Sequence, residues 1–219
     1  MTTTPQIKDK TEYAYAKSNI YQLLSTAFAK ELTHESIEIF RGNDIAETLE
    51  NFGEGFDTEF YKCTTENVLK ELSDEYAALF ILPGGVNPTE SVARAGLYMQ
   101  VYAAQVLRFY HQCGFSLSDG FKGFPDHIGI ELEFMSQLSK NEAVAYENGA
   151  EDEAKKWIEL QKKFLEEHLA QWAMGFAKNV AAYAAQSFYR GMAHLLYAFI
   201  SAEAKEFVGG KEHDDGEMA

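Results

Sequence analysis

The sequence predicts an all-α fold. Apolar residues recur at intervals of three and four along most of the 219 residues, which puts them on one side of a helix. No segment alternates apolar and polar residues with a period of two, as a half-buried strand would. The main Gly and Pro breakers fall between the periodic segments.

Residues 12–30 carry Tyr13, Ala16, Ile20, Leu23, Leu24, Ala27 and Phe28 at helical spacing. Residues 34–50 read as one or two shorter helices broken around Gly42-Asn43, and Gly53 and Gly55 mark a loop. A helix begins at about Thr65, with Val68, Leu69, Leu72, Tyr76, Leu79 and Phe80 on its apolar side. Pro83-Gly84-Gly85-Val86-Asn87-Pro88 ends it and is the strongest breaker in the chain. Ser91 is the expected N-cap of the next helix, which carries Leu97, Val101, Ala104, Leu107 and His111 and stops at Gly114. Pro125 is expected at the first helical position of the helix after that, with Asp126 in its first turn. His127 and Glu131 then share a face. This helix runs to about Tyr146. Asn148-Gly149 separates it from a long helix over 151–179, and the last helix covers about 182–205.

The expected architecture is a single-domain helical bundle of about eight to nine helices. Residues 1–11 read as a flexible N-terminus and 12–206 as the helical domain, with a Pro/Gly loop at 83–90 that is also a candidate hinge between two lobes. Residues 207–219 read as a disordered acidic tail.

Composition narrows the function classes. The net charge of −15 argues against nucleic acid, whose phosphates would be repelled, and is compatible with a cationic peptide. Cys63 and Cys113 have no metal-type spacing and fit a reducing cytosol. Met1 to Lys10 lacks the apolar core of a signal peptide, and Leu195 to Ile200 is too short to span a bilayer. The expected location is the cytoplasm. Pro83-Gly84-Gly85 lacks the Gly-Lys-Ser/Thr ending of a phosphate loop. Di-metal helical bundles use two Glu-x-x-His pairs, whereas only one, Glu31-Leu32-Thr33-His34, stands here. His168-Leu169-x-x-Trp172 reads as packing, with Trp172 buried and His168 near the surface.

Four motifs in order carry a resemblance. They are Tyr76-Ala77-Ala78-Leu79-Phe80, the loop Pro83-Gly84 to Pro88 followed by Glu90-Ser91-Val92, Pro125-Asp126-His127 with Glu131-Leu132-Glu133-Phe134-Met135, and His168-Leu169-x-x-Trp172 with Phe176 and Phe188-Tyr189-Arg190. From about residue 12 to 205 the chain resembles the redox-enzyme maturation chaperones of the TorD/DmsD type, related to the NarJ nitrate reductase assembly proteins. Two positions depart from the family pattern: Phe124 stands where Glu is frequent, and Thr89-Glu90 where many members carry an aromatic.

The resemblance implies a TorD-like, all-helical, cytoplasmic chaperone with no enzymatic activity and no cofactor of its own. Its partner would be the twin-arginine signal peptide of a molybdoenzyme catalytic subunit of the N-oxide or S-oxide reductase type. The chaperone would hold that subunit back from Tat export until the molybdopterin cofactor is in place. Further implied partners are the body of the enzyme, the Tat export machinery and molybdenum cofactor biosynthesis proteins, with the chaperone a monomer or dimer. A helical scaffold for another client and a metal-dependent helical enzyme are the alternatives. The peptide site expected on this basis has Tyr76, Leu79 and Phe80, a cluster whose helical spacing also reads as core, as an apolar floor, and Pro83 and Pro88 as a rigid wall. Asp126, with either Glu131 or Glu90, would pair with guanidinium groups, His127 would orient Asp126 or Glu131, and Ser91, Phe124 and Pro125 lie in the same loops.

Overall fold

The computed structural model describes residues 4–52, 54–118 and 122–209. Its helical segments are α1 (Thr4–Phe28), α2 (His34–Phe40), α3 (Asn43–Asn51), α4 (Thr58–Lys62), α5 (Thr65–Tyr76), α6 (Glu90–Ala95), α7 (Val101–Gln112), α8 (Ile128–Glu147), α9 (Glu151–Phe164), α10 (Ala170–Tyr183) and α11 (Ser187–Gly209). One π turn, Ala77–Ile81, extends α5, and another, Leu165–Leu169, joins α9 to α10. The described residues hold no strand. They contain more segments than the eight or nine expected, because α3, α4 and α6 are short. Helix α1 begins inside the stretch 1–11 expected to be a flexible terminus. The acidic tail lies, from residue 210 on, outside the described residues.

The chain forms two compact units. Unit 1 comprises residues 1–25 and 89–171, and unit 2 comprises 26–88 and 172–219. One boundary falls at the end of the Pro83–Pro88 loop.

In unit 1, α8 packs against α9, and its small residues admit α1. Ser18 Oγ donates to the Ser136 carbonyl at 3.0 Å, and Ser25 Oγ to the Gly129 carbonyl at 2.8 Å. A buried polar chain crosses the same bundle. Lys17 Nζ lies 3.2 Å from Glu142 Oε2, which also accepts from Gln161 Nε2 at 2.8 Å. Gln161 Oε1 in turn accepts from Ser139 Oγ at 2.9 Å. Every member therefore has a partner, as burial requires. The apolar core beside it is aromatic: Tyr110 and Phe164 lie 4.6 and 4.8 Å from Phe134.

In unit 2, Thr33, Asp57 and Thr64 cap α2, α4 and α5 with side-chain oxygens. Gly42 separates α2 from α3, as the Gly42-Asn43 pair predicts. Arg41 donates to the carbonyls of Phe60 and Cys63 and so closes the end of α4. The core is built from Phe40, Phe56, Phe60 and Phe188, together with Phe28, Phe80 and Phe176. Glu75 Oε1 accepts the N–H groups of Ala185 and Gln186 at 2.6 and 2.8 Å, which delays the start of α11 to Ser187. Burial raises the Glu75 pKa in spite of those two bonds.

Candidate functional site

The site residues expected from sequence fall in both units. Tyr76, Leu79, Phe80, Pro83 and Pro88 belong to unit 2, whereas Glu90, Ser91, Phe124, Pro125, Asp126, His127 and Glu131 belong to unit 1.

In unit 2 the π turn Ala77–Ile81 decides what is exposed. A π turn adds one residue to a helical turn and so rotates the next side chains about the helix axis. Tyr76 and Leu79 are buried, at 7% and 4% exposure, and Phe80 is half-buried against Tyr76, Phe176 and Tyr189. Tyr76 and Leu79 are therefore core here and not an open floor. The exposed apolar residues are the next two, Ile81 and Leu82, with exposed Pro83 beyond. The loop folds back onto the π turn, where Val86 N–H donates to the Leu79 carbonyl at 2.6 Å. Gly85 permits this approach, since a Cβ there would stand 2.3 Å from the Leu79 oxygen.

In unit 1 the segment Pro125-Asp126-His127 is a latch. Helix α8 starts at Ile128, so Pro125 and Asp126 precede it instead of forming its first turn. His127 is the N-cap, with Nδ1 accepting the Gly129 N–H at 3.1 Å. That bond requires an unprotonated Nδ1, and burial lowers the His127 pKa to about 4 although Asp126 pulls it up. Asp126 faces α6. Its Oδ2 accepts the Ser91 N–H at 2.8 Å, and its carbonyl accepts the Glu90 N–H at 2.9 Å. Asp126 thus supplies the first turn of α6 with a cap that Thr89, the N-cap residue, does not give. Ser91, the expected cap, lies inside the helix, and its Oγ accepts the Gln100 N–H at 3.1 Å. Tyr110 donates its hydroxyl to the Pro125 carbonyl at 3.1 Å, and burial pushes its pKa well up, with Glu131, Asp126 and Glu90 adding to the rise.

Glu90, Asp126 and Glu131 are fully buried. Glu90 is the centre of an ion cluster with only a faint signature in the sequence. Its carboxylate holds Arg94, one turn on, and the Nδ1 of His168 at 3.0 Å. His168 is buried, not near the surface, because the π turn Leu165–Leu169 aims it inward, where it packs against Phe164. Arg94 also donates to the Glu167 carbonyl at 3.1 Å, an oxygen of that same π turn. Arg94 lies four residues from Glu90, a helical pairing visible in the sequence. His168 is 78 residues away from Glu90, and no local spacing signals that contact. Phe124 stacks on Tyr98, with ring centres 4.7 Å apart.

A buried carboxylate that is already bonded, such as Glu90, holds structure; it is not an open acceptor. Asp126 keeps one oxygen, Oδ1, without a hydrogen bond in the structure. Among the described residues no group of His, Cys, Asp and Glu is arranged to hold a metal ion, and no helix is long and apolar enough to cross a membrane.

The described residues are thus helices and loops, with an acidic latch whose groups are bonded within unit 1. Residues 43–178 match the nitrate reductase delta subunit family, and the chain belongs to it. It is 26% identical over 217 residues to a protein named Chaperone protein TorD from Vibrio atlanticus, covering 93% of this chain and 100% of that one. It is 32% identical over 114 residues to a selenate reductase assembly chaperone protein from Thauera selenatis, covering 51% of this chain and 58% of that one. These relatives carry the names of chaperones, not of enzymes. A crystal structure from Archaeoglobus fulgidus, assigned to a redox enzyme maturation protein, superposes with a TM-score of 0.51 at 20% identity. It covers 87% of this chain and 92% of that one, and at this identity it speaks for the shared fold alone.

Proposed function

We propose that this protein is an assembly chaperone for a molybdoenzyme catalytic subunit of the N-oxide or S-oxide reductase type. It binds the twin-arginine signal peptide of its client in the cytoplasm and holds the client back from Tat export until the molybdopterin cofactor is inserted. The similarity to Chaperone protein TorD, which spans nearly the whole of both chains, carries this proposal. The net charge of −15 supports it, since a cationic leader is attracted from a distance.

Each unit offers its own candidate contact. In unit 1, Asp126 Oδ1 is the acceptor for a leader guanidinium, reached when the loop around Phe124 gives way. Glu90 is a positioning residue, because Arg94 and His168 already occupy it. In unit 2, Ile81, Leu82 and Pro83 offer apolar surface, held in place by the core residues Tyr76 and Leu79 and by Pro88.

Titration calorimetry with a synthetic twin-arginine leader tests the proposal. The leader is expected to bind, and a version with two lysines to bind more weakly, because an ammonium cannot form the planar two-bond fork. Failure of the arginine leader to bind at all overturns the leader reading.

A further inference from the structure

One stretch of unit 1 is set apart by its charge. Residues 91–118 contain no Asp or Glu, in a chain that carries 34 of them. Arg94 and Arg108 lie within this stretch and line an open cavity of about 600 Å³, joined there by Tyr102 of α7 and Lys163 of α9. Glu166 and Glu167 of the π turn line it too. Arg94 is engaged with Glu90, but Arg108 and Lys163 take part in none of the ion pairs among the described residues. Both side chains are exposed.

The loop between α6 and α7 rises from the rim of this cavity. Its Leu97, Tyr98 and Met99, and Val101 at the start of α7, are 64%, 50%, 61% and 59% exposed. The loop is pinned at its base. Gly96 ends α6 in the left-handed region, Gln100 N–H is bonded to Ser91 Oγ, and the Arg94 guanidinium lies 4.1 Å from the centre of the Tyr102 ring. Met99 holds a φ of 53°, unusual for a side chain other than glycine. A fixed loop that presents several large apolar side chains beside cations outside any ion pair is the mark of an interaction surface.

We propose that this corner of α6 and α7 docks an acidic, apolar segment of a partner protein. Carboxylates of that segment meet Arg108 and Lys163, and its apolar side chains cover Leu97, Met99 and Val101. Charge selects the occupant. Arg108 and Lys163 favour carboxylates over the guanidinium groups of a leader, so the surface is taken as separate from the one proposed for the leader. An anionic bilayer is repelled by the chain as a whole.

Two amphipathic helical peptides that share apolar positions and carry either Glu or Lys elsewhere test this on the full chain, read by fluorescence anisotropy. The Glu peptide is expected to bind, with affinity falling at least about tenfold in Arg108→Glu and in Met99→Asp and falling with salt. The twin-arginine leader is expected to bind both variants as it binds the parent. Thermal melts check folding, and Arg108→Gln replaces any variant that melts early. Equal binding of the Lys peptide, or unchanged affinity in both variants, overturns the proposal. So does a leader that loses affinity in step with the Glu peptide, since the surface would then be the leader's own. Failure of the leader to bind the parent chain bears only on the signal-peptide reading. Binding of the parent to vesicles of anionic lipid in preference to the Glu peptide would replace the protein segment with a membrane and overturn the proposal.

Discussion

The carboxylate of Asp126 accepts the backbone N–H of Ser91 at 2.8 Å, and the Asp126 carbonyl accepts that of Glu90 at 2.9 Å. One residue therefore fastens the start of α6 to the segment that leads into α8. Asp126→Ala leaves a buried N–H without a partner and should destabilise the chain by about 1–3 kcal/mol in chemical denaturation. Asp126→Asn can keep the Ser91 bond through its amide oxygen, and should lose less stability than Asp126→Ala. If the proposed leader contact is right, Asp126→Asn weakens twin-arginine leader binding all the same. A leader that binds Asp126→Asn as well as the parent would leave Asp126 a purely structural latch.

His127 gives the chain a defined acid sensitivity. Its folded pKa is about 4, below the ordinary value of 6.5. Between those values the unfolded chain binds a proton that the folded chain refuses, so stability rises with pH across that window. Stability should fall as pH drops from about 6.5 toward about 4, after the contribution of the carboxylates is allowed for. His127→Asn keeps a good N-cap and removes the titration. The melting temperature of this variant should fall less over the same window. Parallel pH profiles would show His127 uninvolved.

The loop after α5 separates core from surface within a few residues. Leu79→Ala should cost about 2–5 kcal/mol, as buried Leu truncations do. Ile81→Ala and Leu82→Ala remove exposed side chains and should stay within about 0.5 kcal/mol. Gly85→Ala drives a Cβ into the Leu79 and Ala78 carbonyls, so it should melt well below the parent. Melting curves for the four variants check this order. A Gly85→Ala protein as stable as the parent, beside a destabilised Leu82→Ala, would reverse it.

Much of this fold is legible in the sequence because local chemistry sets it. Helix α5 starts at Thr65, and Gly42 divides α2 from α3, as the sequence predicts. The break at Gly96 is hidden because Leu97, Val101 and Ala104 continue a helical spacing straight across it. Each π turn inserts one residue, which barely disturbs an apolar pattern yet reverses which side chain is buried. His168 departs from its expected place for that reason, whereas Leu79 keeps the buried position its helical spacing gives and departs only from the open floor the resemblance implies. Asp126 in front of a helix has the pattern of a first-turn residue. It turns instead to α6, through contacts between residues 35 positions apart that no local spacing encodes.

Glu90 is the most demanding test of the site. Its side chain is fully buried, and its two oxygens are divided between Arg94 and His168. A buried charge is tolerated only when its partners repay the loss of water, and removing one member strands the others. Arg94 is 26% exposed and can return to solvent, whereas His168, at 4%, cannot do so without leaving Phe164. Glu90→Ala leaves the buried His168 ring nitrogen without its partner while Arg94 returns to solvent, and should cost about 1–3 kcal/mol, the range for a buried polar group left unbonded. Arg94→Ala should cost less, because water and the cavity it lines can reach the Glu90 carboxylate in its place. His168→Phe fits the aromatic surroundings but leaves Glu90 Oε2 unbonded, so its cost should shrink when Glu90→Leu is added. Equilibrium denaturation of the single and double variants measures that coupling. Costs for Glu90→Leu and His168→Phe that simply add would show that the pair is not coupled. A Glu90→Ala protein as stable as the parent would show that the cluster contributes nothing to the fold.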